Sequence, residues 1–483
     1  MTLWNSSGVI DAYWGTTENS PNWGSWQPQG KIINATGPTA TTSATPFGLN
    51  GYQKNITIPT GLPGSVSRQY FDDVIFGYNR ADTIGFFGTI SYNDPPFTIW
   101  AFDAKTGNLK YNKTYAAPAG NVSLEVSAAS DEERVVVIWS KELTQFWAYD
   151  LDTGNKLWGP TDPQHYLDVY AMYPTIQYGL LYSNGMSGVM YAYDAQTGDL
   201  VWNYTYPDPH GEVLWSNYWS SLRPRIITDG KIYLGQSEHS VIDPMPRGAP
   251  FVCINATTGE KIWSIAGMFR QTDWGGSAVM GDSIIATMDT YNQKIYAIGK
   301  GPSATTVSAS PKVSVYGSSI LVEGLVTDIS PGAEEYDRTA RFPNGVPAIC
   351  DDNMSEWMLY VYKQFARPAD VLGVDVTISV LDPNGNYYDV GTATSDANGF
   401  YSATFDPAVP GKYTIYATFA GTNGYYGSIS ETAINVENAP EATPPPTEPP
   451  ASVADLYLLP STIGIIVAIV VVGLLLFLMI KKR

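Results

Sequence analysis

The sequence predicts an all-β chain that folds as a β-propeller, then a β-sandwich, and ends in one transmembrane helix. Three observations carry this reading. A turn-centred hairpin recurs four times in register before residue 265, short alternating strands follow Pro302, and an apolar run precedes the terminal Lys481-Lys482-Arg483. At 483 residues the chain exceeds one ordinary core, so two or three domains are expected. The 33 Tyr, 14 Trp, 45 Gly and 34 Pro, against only 15% charged residues, favour short strands and turns over helices. Outside the last stretch no long segment shows a 3.6-residue apolar period.

The repeat is read first. Ile99–Tyr111 (IWAFDAKTGNLKY), Phe146–Trp158 (FWAYDLDTGNKLW), Met190–Trp202 (MYAYDAQTGDLVW) and Phe251–Trp263 (FVCINATTGEKIW) align without gaps, and a fifth copy, from Ile295, begins the same way and stops. The glycines Gly107, Gly154, Gly198 and Gly259 are spaced by 47, 44 and 61 residues. Each copy reads as a β-hairpin. An apolar strand leads to a turn in which Asp103, Asp150, Asp194 or Asn255 bonds neighbouring amides and Gly supplies a positive φ, and a second strand ends in Trp or Tyr. Further strand pairs lie upstream, so four strands per repeat describe a propeller blade.

The pattern Ala-x-Asp-x-x-Thr-Gly-x-x-x-Trp resembles the tryptophan-docking motif of pyrroloquinoline-quinone (PQQ)-type β-propellers. It is intact at Ala148–Trp158 and Ala192–Trp202; Tyr111 replaces Trp in the first copy, and Cys253 and Asn255 replace Ala and Asp in the fourth. The resemblance covers roughly residues 65–302. It implies that Trp158, Trp202 and Trp263 pack between blades and are structural. Residues 1–64 contain no readable repeat, although Thr2–Asn5 looks like the end of a blade that could close the ring by strand exchange. The first 20 residues do not read as a signal peptide, so the sequence is expected to be an incomplete copy lacking that signal and two or three blades.

Val376–Pro407 alternates apolar and polar residues around Pro-Asn-Gly and Ala-Asn-Gly turns, which indicates a β-sandwich at about 311–437. The pattern, including the hairpin Thr394–Tyr401, resembles immunoglobulin-like (Ig-like) modules of microbial surface proteins, which implies a spacer or adhesion role. A Pro-rich spacer follows over 438–455, where Ala439–Ser452 reads as extended chain. Residues 456–480 form the predicted transmembrane helix; Ile463–Ile480 alone, without a polar side chain, rises about 27 Å, close to the hydrocarbon thickness of a bilayer. The basic residues 481–483 mark the cytoplasmic side, which places the ectodomain outside.

Eight Asn-x-Ser/Thr sequons, at Asn5, Asn34, Asn55, Asn112, Asn121, Asn203, Asn255 and Asn353, agree with an external location. A net charge of −19 repels phosphate backbones and argues against nucleic acid as a partner. Two cysteines do not make a disulfide framework; Cys253 stands where the other repeats have Ala and reads as a small buried residue. No metal-ligand spacing, nucleophile elbow or phosphate loop is present in the sequence.

Candidate ligand-facing residues lie on the inserts between blades, because inserts cluster at one rim of a propeller. They are His165, Asp168, Trp215, Trp219, His239, Arg270, Asp273 and Trp274. The expected function is a membrane-anchored extracytoplasmic module that binds a surface protein or polymer, without catalytic residues or a cofactor. Two alternatives stay open. A quinoprotein dehydrogenase, which the resemblance also allows, would use PQQ with calcium, though its vicinal cysteines are absent here. A carbohydrate-binding envelope protein would use the aromatic inserts.

Overall fold

The structure is a computed structural model and describes residues 2–4, 52–55, 57–67, 71–79, 96–116, 122, 124–165, 174–185, 187–211, 218–219, 226–236, 249–267, 269, 278–441 and 452–482. The N-terminal calls largely fall outside these ranges, as does most of the Pro-rich spacer. Thr2–Trp4, read above as a blade's last strand, pairs with Tyr52–Asn55.

Among the described residues, four four-stranded antiparallel sheets and one three-stranded sheet follow each other along the chain. The first blade holds Ser65–Val66, Val74–Tyr78, Phe97–Asp103 and Leu109–Tyr115. The second holds Glu125–Ser130, Val135–Ser140, Gln145–Asp150 and Lys156–Trp158. The third holds Thr175–Gln177, Leu180–Ser183, Val189–Asp194 and Leu200–Thr205. The fourth holds Ile226–Thr228, Lys231–Leu234, Phe251–Asn255 and Lys261–Ile265. The fifth stops after Val279–Gly281, Ile284–Asp289 and Lys294–Ile298.

The hairpin chemistry is the same in each copy. Asp150 Oδ1 accepts the N–H of Thr153 at 2.7 Å and its hydroxyl at 2.7 Å, and Asn255 Oδ1 accepts from Thr257 at 2.9 Å and Thr258 at 3.1 Å. Gly154 (φ 68°) and Gly198 (φ 77°) turn the chain through the left-handed region.

Blades join through apolar faces. Val74, Phe76 and Tyr111 of the first pack with Ile138, Tyr149 and Leu151 of the second. Trp158 of the second packs with Leu181 and Tyr193 of the third, and Trp202 of the third with Ile232 and Ile254 of the fourth. Each of these side chains contributes about 1.5–3 kcal/mol by leaving water.

The docking role implied for the Trp positions is visible atom by atom. Trp158 Nε1 donates to Ala195 O at 2.9 Å, and Trp202 Nε1 to Ala256 O at 3.1 Å. A Cβ on Gly198 would lie 2.5 Å from the Trp158 ring, and one on Gly259 2.6 Å from the Trp202 ring. Tyr111 takes the same place over Gly154, but its hydroxyl is buried without a partner. Trp263 is only half-buried, beside Tyr233 and Phe251, because the fifth copy ends before its Thr-Gly turn.

From Ser303 two further sheets pack on one core that includes Val322, Val376, Ile378, Tyr413 and Ile415. One is built around Ile320–Asp328, which pairs with Ser303–Thr305, Ser308–Ser310, Val346–Pro347 and Phe400–Phe405. The other runs Val313–Val315, Tyr426–Glu437, Gly411–Gly421, Asp375–Leu381, Tyr387–Thr394. Two helices, α1 (Tyr336–Arg341) and α2 (Met354–Lys363), interrupt the strands and build a satellite core with Trp357 and Val361. The sequence reading missed them. α2 is only ten residues long and rich in Trp and Tyr, which read as strand formers, and its buried pair Trp357 and Val361 supplies a single helical period.

α2 also packs against the outer strand of the fourth blade. Lys363 at its end pairs with Asp289 of the fifth blade, with side chains 5% and 2% exposed. The ammonium lies 4.0 Å from the Tyr296 ring centre and 4.8 Å from that of Phe269. The last helix, α3 (Val453–Lys481), contains an 18-residue window of mean hydropathy 3.3 and is long and apolar enough to cross a membrane.

Candidate functional site

After Trp158 the chain leaves the second blade as an insert, and its first residues are pinned by hydrogen bonds. Phe146 N donates to Thr161 Oγ1 at 3.0 Å and Thr161 N to Phe146 O at 3.0 Å. Gln164 N reaches Thr144 O at 2.9 Å, and the Thr144 hydroxyl returns a bond to Gln164 O at 3.1 Å. Gln164 Nε2 then crosses to the third blade, donating to Ser183 Oγ at 3.1 Å and Tyr193 OH at 3.2 Å. His165 N donates to Tyr191 OH at 3.1 Å. The insert is therefore an extension of blade two tied to the third strand of blade three.

Between them lies a cleft of about 270 Å³. Trp158 and Tyr193 form its floor, Tyr191, Pro160, Pro163 and Leu200 its apolar walls, and Asp162 and Asp199 its exposed acidic rim. Tyr191 and Tyr193 stack with centroids 6.1 Å apart and planes 14° from parallel. Burial raises the Tyr193 phenol well above its usual range, so it stays a neutral hydrogen-bonding group at any physiological pH. The accessible lining of the cleft is mainly polar, with negative charge at its mouth, which suits binding of a neutral or basic extended ligand.

Of the eight residues singled out on inserts, two are described. His165 is exposed at the end of this cleft segment. Trp219 is buried at 7% in the core between blades three and four, and its N–H has no hydrogen-bond partner. Asp168, Trp215, His239, Arg270, Asp273 and Trp274 lie outside the described residues. Sequence reasoning missed Thr161, Gln164 and the Tyr191/Tyr193 pair. Their signal was the alternation of Tyr191 and Tyr193 on a third strand directly beside an insert.

The two cysteines are free. Cys253 is fully buried opposite Trp263, and burial pushes its thiol up to about 12. Among the sequons, Asn112 and Asn203 stand exposed on outer strands, whereas the Oδ1 atoms of Asn255 and Asn353 are engaged by backbone amides. Among the described residues no group of three or more His, Cys, Asp or Glu is placed to hold a metal ion.

The PQQ-repeat family described as outer membrane protein assembly factor BamB matches residues 89–305. BamB from Moraxella catarrhalis is similar over 69% of this chain and 82% of its own, at 12% identity and a TM-score of 0.28. A quinohemoprotein alcohol dehydrogenase from Pseudomonas putida is similar over 82% and 78%, at 13% identity and a TM-score of 0.30. The computationally designed Ika8 protein covers 48% and 69%, at 12% and 0.25. No curated protein matches the chain. The superpositions are loose, and the likeness of residues 89–305 to PQQ-repeat β-propellers rests on the family match, the hairpin chemistry and the strand order.

Proposed function

We propose that this PQQ-repeat propeller is a membrane-anchored binding scaffold, held outside the cell by α3, which grips a partner protein in the cleft between its second and third blades. The observation that carries the reading is the cleft itself, in which Gln164 bonds the Tyr193 hydroxyl and Thr161 the Phe146 backbone before any ligand arrives. Pre-organisation of this kind lowers the entropy cost of binding. The family description of the repeat, an assembly factor, supports partner binding over chemistry. The basic residues after α3 support a cytoplasmic C-terminus, and the Ig-like sandwich then serves as a spacer beneath the propeller.

The test is a soluble form ending before Val453, crosslinked to the surface of cells lacking the protein and compared with Tyr191→Ala and Leu200→Asp. Aromatic anchors at such centres are worth about 2 kcal/mol, so capture of one defined protein should fall roughly 30-fold. Undiminished capture by both variants would remove the cleft from the mechanism. Retention on purified envelope polysaccharide, lost in the same variants, would instead make the ligand a sugar polymer stacked on Tyr191.

A further inference from the structure

Among the described residues the fifth blade ends one strand short, and the four complete blades show what is missing. In each, a small residue on the third strand faces an aromatic on the outer one: Ala101 faces Tyr111, Ala148 Trp158, Ala192 Trp202, and Cys253 Trp263. Two residues further on, Asp103, Asp150, Asp194 and Asn255 donate their backbone N–H to the outer hairpin. Alternate residues of a strand present their backbone groups to the same side. By the same alignment Ile295 and Ala297 turn theirs away from Ile284–Asp289. Among the described residues no strand pairs with that edge.

The sheet face beside it is also uncovered. The register puts Val279, Ile284, Ile295 and Ala297 on one side of the sheet. Val279 is 62%, Ile284 47% and Ile295 76% exposed, while Ile285, Thr287 and Asp289, on the opposite side, are buried. A side chain arriving opposite Ala297 would lie on this apolar face.

We propose that the outer edge of Lys294–Ile298 is an interaction surface that takes one extended antiparallel strand from a partner protein, with Trp or Tyr set opposite Ala297. The chain's own Thr2–Trp4 is paired elsewhere, with Tyr52–Asn55. Two copies of the edge, paired symmetrically through Ala297, would set Lys294 against Lys300 and Ala against Ala. Like charges directly opposite are destabilising, and the aromatic that every complete blade uses would be absent. A strand from a different protein with an aromatic opposite Ala297 pairs the backbone edge, covers the apolar face and avoids the Lys294–Lys300 opposition.

The probe is a labelled peptide copying Asp199–Thr205 (Asp-Leu-Val-Trp-Asn-Tyr-Thr), titrated against the full chain in lipid nanodiscs. Expected are saturable one-to-one binding and a loss of at least tenfold when alternate peptide nitrogens are methylated or its Trp becomes Ala. Ala297→Pro, which removes an outward N–H, and Ile295→Asp, at an exposed position, should each weaken binding as much, while their melting temperatures confirm folding. Tyr191→Ala should bind the peptide normally, since the edge and the cleft are independent. Three results would overturn the proposal. They are equal binding of the methylated peptide, binding that appears only after Thr2–Trp4 is deleted, and self-association through the edge abolished by Ala297→Pro.

Discussion

Lys363→Met tests how the propeller and the second unit are joined. Removing the ammonium takes the Lys363 charge away from the Asp289 carboxylate, which is 2% exposed. The Tyr291 N–H, donating to Asp289 Oδ1 at 2.9 Å, remains. Breaking a buried pair from one side costs about 3–5 kcal/mol, and the contacts of the ammonium with Tyr296 and Phe269 are lost with it. Asp289→Asn should cost a similar amount by stranding Lys363, whereas the double variant should recover most of the loss, since a neutral pair of similar volume pays no desolvation of charge. The assay is urea unfolding of the protein truncated before Val453, followed by intrinsic fluorescence, with the four proteins forming a double-mutant cycle. The single variants should also split one transition into two, because the pair is the charged link between Ile284–Asp289 and α2. A loss below about 1 kcal/mol in both singles, or strictly additive effects in the double, would refute the buried-pair argument.

Three further outcomes follow from the same geometry. Trp202→Ala should destabilise by about 3–5 kcal/mol in thermal or chemical unfolding, since it removes a buried indole and its bond to Ala256 O; unchanged stability would deny the Trp its docking role. Asp152, bonded by Arg134 at 2.6 and 2.9 Å and by Lys110 at 2.7 Å, has its carboxyl lowered to about 2. A depressed acid contributes stability above its unfolded value near 3.8 and loses it as pH falls toward 2. Because the carboxylate is about a third exposed, screening leaves about 1 kcal/mol or less, and Asp152→Asn should flatten that part of the acid-stability curve. Iodoacetamide at pH 8 should label Cys350 in the native protein and reach Cys253 only after denaturation, as peptide mapping by mass spectrometry would show.

What the sequence revealed was local. Asp150, Thr153 and Gly154 make their hairpin from neighbours within a few residues, so the turn could be read directly, and the repeated Trp completed the blade. The junction was hidden because Lys363 and Asp289 are 74 residues apart in sequence and neither carries a motif. The cleft was half legible. The insert after Trp158, on which His165 lies, could be read from the sequence, yet Gln164 and Tyr193 meet only when two blades stack. α2 escaped because its aromatic residues satisfy strand propensity as well as helix periodicity.

The docking indoles give the array a direction in time as well as in space. Trp158 finds its acceptor on Ala195 and its seat on Gly198, and Trp202 on Ala256 and Gly259, always in the blade made later. A chain emerging N-terminus first therefore carries, at every moment, one newly formed blade whose indole is still unsatisfied. Each new blade closes the account of the one before it. Trp263 has no Thr-Gly turn ahead of it, and the structure that arrives last beside its strand is α2. The second unit thus supplies, through α2, the neighbour that the outer strand of the fourth blade receives from no later Thr-Gly turn.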